Sequence, residues 1–176
     1  MRTLVAIVLA VAALGVGAAS SVASAGRTVD LTSGRLDGSR VLGQTVAQVT
    51  AALGRPDYRL PSPRYRIGWG QRPDFAVEVL FRRSHGILRA WSIAFERGPV
   101  RDVKLGDLLG RRSAALQRAV RSQYADSLTL VRPYACKGNG ECVGEFAPRP
   151  GSHLHLTFGT HRVLGTWLTL WQALPA

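Results

Sequence analysis

The sequence predicts an α+β protein of two tandem units, each a helix followed by an antiparallel β-meander, with the two meanders able to form one continuous sheet. Three observations carry that expectation. A helix with marked ends begins near residue 45, short apolar runs split by turn residues follow it, and the same helix-then-strands order comes again in the second half. The chain has 176 residues, with 23 Lys+Arg against 11 Asp+Glu and a formal net charge of +12. Its apolar content of 46% fits a chain that folds around a core.

The first element is an address label. Arg2 precedes an apolar run from Leu4 to about Ala19, and Ala23-Ser24-Ala25 supplies a small-residue cleavage site. A positive start, a short apolar stretch and an A-x-A site describe a secretory signal peptide over residues 1–25. The other reading of the same run is an uncleaved membrane anchor. Cleavage would leave 151 residues carrying +11. Residues 26–40 are rich in Gly, Ser and Asp and read as a flexible N-terminal segment.

The first unit is placed at residues 41–97. Thr45-Val46-Ala47-Gln48 is a capping box, Val46, Val49 and Leu53 share one helical face, and Gly54 and Pro56 stop the helix. Strands are expected at Arg64–Trp69, Phe75–Arg82 and Ile87–Phe95, the last two joined by the turn Ser84-His85-Gly86. The second unit is placed at residues 98–176. It has a helix from Leu108 to Gln123, with Leu109, Leu116 and Val120 on one face. Strands follow at Ser127–Val131, Glu141–Phe146, His153–Phe158 and Val163–Trp171. Phe81, Leu88, Trp91 and Phe95 match Phe158, Leu164, Trp167 and Trp171 in order and closely in spacing, which points to an internal repeat.

Leu42-Gly43-Gln44-Thr45 through Leu53-Gly54-Arg55-Pro56, opening a helix-plus-meander unit, resembles the small outer-membrane lipoproteins of the SmpA/OmlA type and the β-lactamase-inhibitor protein, itself a tandem of two such units. The resemblance covers Val41 to Trp171 as architecture. It implies a non-enzymatic binding or inhibitory module whose sheets form a continuous surface. The acylated Cys of the lipoproteins has no counterpart here.

Cys136 and Cys142 flank the Gly- and Asn-containing segment 137–141, and in an exported chain they read as a disulfide across a hairpin. Trp167 and Trp171 lie on one face of the last strand with Leu168 and Leu170 on the other, so the strand is either buried on both sides or offers one side to a partner. Trp69, Trp91 and Tyr134 join them as candidate partner-binding residues, with burial in the core as the competing reading.

The basic residues are almost all Arg. Arg64, Arg66, Arg111, Arg118 and Arg121 are the candidates for a polyanion-binding face, set against an ordinary solvated surface. His153, His155 and His161 are the only grouping that resembles a metal site, and alternation with Leu154, Leu156 and Phe158 explains the first two as outward strand positions. No G-x-S-x-G elbow or phosphate loop occurs, and among the carboxylates nothing singles out a glycosidase pair such as Glu78 with Glu145.

The expectation is therefore a secreted, non-catalytic binding protein of the cell exterior or envelope that needs no cofactor. Its partner is expected to be a protein, or else an anionic envelope polymer held through an Arg-rich face. Intracellular nucleic acid is not expected, and membrane contact is expected only through an uncleaved signal segment. A small secreted hydrolase or metal-binding protein is the remaining alternative.

Overall fold

Thr45 caps α1 (Val46–Leu53) as its sequence dictates. Its side chain accepts from Gln48 N at 3.4 Å, and Gln48 Oε1 accepts from Thr45 N at 2.9 Å. Val49 and Leu53 are buried, and Gly54 ends the helix at φ 85°, a conformation that favours glycine. The computed structural model describes residues 27–61, 65–70, 77–96, 100–136, 142–150, 153–161 and 165–174. The expected signal peptide lies outside the described residues, as does Arg64.

The fold is mostly β, which corrects the expectation of two tandem helix-plus-meander units. Strand makes up 55% and helix 15%, and the strands form two large sheets. The eight-stranded sheet holds β4 (Tyr58–Leu60), β5 (Arg66–Trp69), β6 (Val77–Ser84), β7 (Ile87–Phe95), β10 (Leu128–Cys136), β11 (Cys142–Pro148), β12 (Leu154–His161) and β13 (Gly165–Gln172). Its order is β10-β11-β12-β13-β7-β6-β5-β4, antiparallel throughout. The β6–β7 connection has two central residues with positive φ, His85 at 47° and Gly86 at 78°, the pattern of a tight primed hairpin.

The second sheet is the part the tandem expectation lacks. It has five short strands in the order β3-β2-β1-β8-β9, namely β1 (Arg27–Asp30), β2 (Arg35–Leu36), β3 (Ser39–Arg40), β8 (Val100–Asp102) and β9 (Gly106–Asp107). Residues 27–40, expected to be flexible, are thus ordered, with Val29, Leu31 and Leu36 fully buried. The parallel pairing of β1 with β8 joins the N-terminal segment to the stretch after residue 97 and crosses the expected boundary between units. These strands are only two to four residues long, with isolated apolar residues among Gly and Asp, so no alternation announces them.

The second helix, α2 (Ser113–Gln123), starts five residues later than expected. Asp107 Oδ1 accepts from Gly110 N at 3.1 Å and turns the chain there. Leu108 is fully buried ahead of the helix.

Asp102 ties these parts together. Its buried carboxylate accepts from the backbone N–H groups of Leu31, Lys104 and Leu105, and from the hydroxyl of Tyr124 at 2.6 Å. Burial, then the hydrogen bond and negative charge of Asp102, push the Tyr124 hydroxyl well above its ordinary pKa.

One core cluster contains Val49 and Leu53 of α1, Leu116 and Val120 of α2, and Val29, Leu31 and Val100 near the small sheet. It also contains Ile67, Val79, Ile93, Phe95, Phe146, Leu156, Phe158, Leu168 and Leu170 of the large sheet. Both helices and the small sheet therefore cover one face of the large sheet. Cys136 and Cys142 pair across the ends of β10 and β11 and are joined by a disulfide, which is consistent with an oxidising compartment. No helix among the described residues is long and apolar enough to cross a membrane.

Candidate functional site: the open face of the large sheet

Strand register lays out the face that neither helix covers. Because side chains alternate, residues paired across neighbouring strands share a face. One row runs Tyr58, Gly68, Glu78, Ala94, Thr169, Thr157, Glu145, Arg132 across all eight strands. The next runs Leu60, Arg66, Leu80, Ser92, Trp171, His155. Opposite these positions, the core-face residues of β12 and β13 are fully or almost fully buried, whereas Trp167, Thr169, Trp171, His155 and Thr157 are only half-buried.

The centre of this face is made of small side chains, and its aromatics lie over their neighbours. A Cβ on Gly159 would meet the Trp167 ring at 2.8 Å, so the indole covers that glycine. Gly68 is covered in the same way by the Tyr58 ring. Trp171 stacks on His155 with ring centroids 3.8 Å apart and an interplanar angle of 12°, and Trp171 Nε1 donates to Thr157 Oγ1 at 3.1 Å.

Two carboxylates flank this platform. Glu78 is buried, with Oε1 accepting from the Tyr58 hydroxyl at 3.1 Å and Oε2 from Arg66 Nη1 at 3.4 Å. Glu145 lies between Arg132 at 3.8 Å and His155 Nδ1 at 4.0 Å. Burial lowers the His155 pKa, and the charge of Glu145 offsets part of that effect. Four strand spacings separate Glu78 from Glu145 along the row, about 19 Å at about 4.8 Å each. Glycosidase carboxylates stand about 5–9.5 Å apart, so these two do not form such a pair.

The five candidate aromatics divide. Trp167 and Trp171 share the open face. Trp69 does not join them, because its side chain is buried in the core cluster. Trp91 is the extra residue of the bulge where Leu80 pairs Ser92 and Phe81 pairs Ala90, and it lines a separate cleft. Tyr134 packs against the core, stacked on Phe158 at 6.2 Å with its hydroxyl 2.7 Å from Thr160 Oγ1.

The arginine candidates do not converge either. Arg66 is paired with Glu78 on the open face. Arg111 lies ahead of α2 and donates to the carbonyls of Asp107 and Leu105. Arg118 and Arg121 are exposed on α2. His153 is exposed, His155 is stacked on Trp171, and the His161 side chain lies outside the described residues. No group of three His, Cys, Asp or Glu able to hold a metal occurs among the described residues.

Sequence reasoning missed Tyr58, Thr157 and the covered glycines. It also treated Glu78 and Glu145 as potential chemistry rather than as flanks of a surface. The usable signal was alternation: Glu78 stands between Val77 and Val79, which places it opposite the core. Comparison of the chain with protein-family models, with curated proteins and with solved structures finds no match.

Proposed function

We propose that this chain is a secreted, non-catalytic binding module that engages a protein partner through the open face of its large sheet. The observation that carries the reading is the pair Trp167 and Trp171, two half-buried indoles on a face that no other described element covers. Trp is enriched among the residues that dominate interface energetics, and two rigid rings lose little conformational freedom on docking. The size fits as well. Eight strands span about 34 Å, and strands of eight residues run about 27 Å, a rectangle on the order of 900 Å². A standard protein interface buries about 800 Å² per partner.

Export belongs to the same proposal. Residues 1–25 read as a signal peptide, and the Cys136–Cys142 disulfide fits an oxidising setting outside the cytoplasm. The test is capture of a partner from culture medium and envelope extract at low and high salt. Wild-type protein should retain one partner at both, and Trp167→Ala and Trp171→Ala should each lose it. Normal capture by both variants would refute the reading.

A second reading, an anionic envelope polymer, has one observation in its favour. Arg149 lines two clefts at once, one with Arg40, His153 and the single carboxylate Asp126, and the other with Arg121. Binding by that route should weaken steeply with salt and should be lost on Arg149→Ala but not on Trp171→Ala.

A further inference from the structure

A cleft of about 580 Å³ lies away from the open face. Pro61, Tyr65, Phe81, Leu88 and Trp91 wall it, and Arg82 and Arg83 complete its lining. Phe81 is buried and meets Tyr65 edge-on at 5.6 Å, which gives the cleft a fixed apolar wall. Tyr65, Leu88 and Trp91 are half-buried, so each presents apolar surface to the space.

The cationic side is built by strand pairing. Arg82 stands directly opposite Arg89, and Arg83 opposite Leu88. Two like charges across a ladder are unfavourable unless something of opposite sign is near. Arg89 is drawn off to the carbonyl of Gly43 at 3.0 Å, and Arg83 donates to the carbonyl of Gly86 at 2.8 Å, so neither meets a carboxylate there. Arg82 is exposed and has no hydrogen-bonding or ionic partner among the described residues. No acidic side chain lines the cleft among the described residues.

We propose that this cleft binds a small anionic amphipath, a molecule with one acyl or aryl body and a single carboxylate or phosphate head. The aromatic wall takes the body, and the guanidinium of Arg83, which alternation places on the Phe81 and Leu88 side of β6, takes the head, with Arg82 adding positive charge at the rim. A volume of 580 Å³ falls within the range of about 300–1,000 Å³ usual for small-molecule sites. A neutral apolar ligand would leave both arginines beside it without a counter-charge. A fully charged polymer would have nothing to place against Trp91 and Phe81. The site lies apart from Trp167 and Trp171, so it stands or falls independently of the proposed protein interface.

Calorimetric titration of the purified chain with dodecanoate and dodecyl phosphate below micelle formation tests it, with dodecyl maltoside, dodecyltrimethylammonium and acetate as controls. Both anionic amphipaths should bind one per chain. The neutral and cationic amphipaths should bind at least about tenfold more weakly, and acetate should not bind measurably. The double variant Arg82→Ala/Arg83→Ala should weaken dodecanoate about tenfold or more, in line with loss of charge-assisted hydrogen bonds. Leu88→Glu, checked for a retained cooperative unfolding transition, should abolish binding. Equal affinity for anionic and cationic amphipaths overturns the proposal. So does unchanged dodecanoate binding in both variants, and so does binding to anionic vesicles without any binding of monomeric dodecanoate.

Discussion

The two faces of the large sheet come from the same strands and differ in what each side chain has to lose. On β12, Phe158 is fully buried, stacked on Tyr134 and 5.9 Å from Phe146, with its ring over Gly144. One strand away and on the other side, Trp167 covers Gly159 and remains half-exposed. Aromatic size alone therefore says nothing about stability; cover from a second layer does. Phe158→Ala should cost about 3–5 kcal/mol, because a cavity is left in a packed core. Trp167→Ala, though it removes a larger ring, should cost clearly less, because it leaves no enclosed cavity. Urea unfolding of both variants measures the difference. Equal costs would mean that the open face is covered after all.

The comparison extends to the two carboxylates buried among the described residues, which stand on opposite sides of it. Asp102 is enclosed by three backbone donors and Tyr124, whereas Glu78 meets two half-exposed side chains, Tyr58 and Arg66. Tyr124→Phe should cost about 1.5–3 kcal/mol, the range for a hydrogen bond to a charged group. Tyr58→Phe should cost less, since water can replace its hydroxyl. The pH dependence sharpens the contrast. The folded Tyr124 pKa is raised above its ordinary value of 10.0, so its stabilisation is complete below that pH. It is lost as pH rises above 10, where the unfolded chain ionises and the folded one does not. Unfolding curves at pH 9 and pH 11 should therefore diverge more for wild type than for Tyr124→Phe.

How far these differences were legible in the sequence depends on how each feature is encoded. The capping box, Val49 and Leu53 fixed α1 from local chemistry alone, and the paired cysteines gave the disulfide. Alternation placed Leu154, Leu156 and Phe158 on the inner face of β12 and the histidines on the other. The small sheet was invisible because its strands gain their stability from pairing across about 70 residues, Val29 with Asp102 among them. No short window of sequence holds that information. Trp69 and Trp167 are chemically the same residue on strands of similar pattern. Only the presence of a second layer above one and not the other separates them, and that is a property of the assembled fold. The bulge at Trp91 shifts a third Trp out of the alternating period of its strand.

The smallest expected effect is also the one most specific to the open face. His155 is stacked against Trp171, and burial holds its pKa below the ordinary 6.5 while Glu145 at 4.0 Å partly opposes the shift. A depressed histidine pKa means that the unfolded chain takes up the proton first as the medium is acidified. Stability is then complete above pH 6.5 and declines as pH falls below it, until the folded form is protonated as well. His155→Gln should remove that component, so the variant should lose less stability than wild type between pH 7 and pH 5.5, above the range in which most carboxylates titrate. Glu145→Gln should do the reverse and steepen the loss, because it removes the charge that favours the imidazolium. Phe158 lies on the same strand but on the opposite face, away from His155 and Glu145, and Phe158→Leu should leave the slope as it is. If His155→Gln and wild type decline in parallel, the imidazole is not held neutral by the indole, and the open face is wetter than its packing implies.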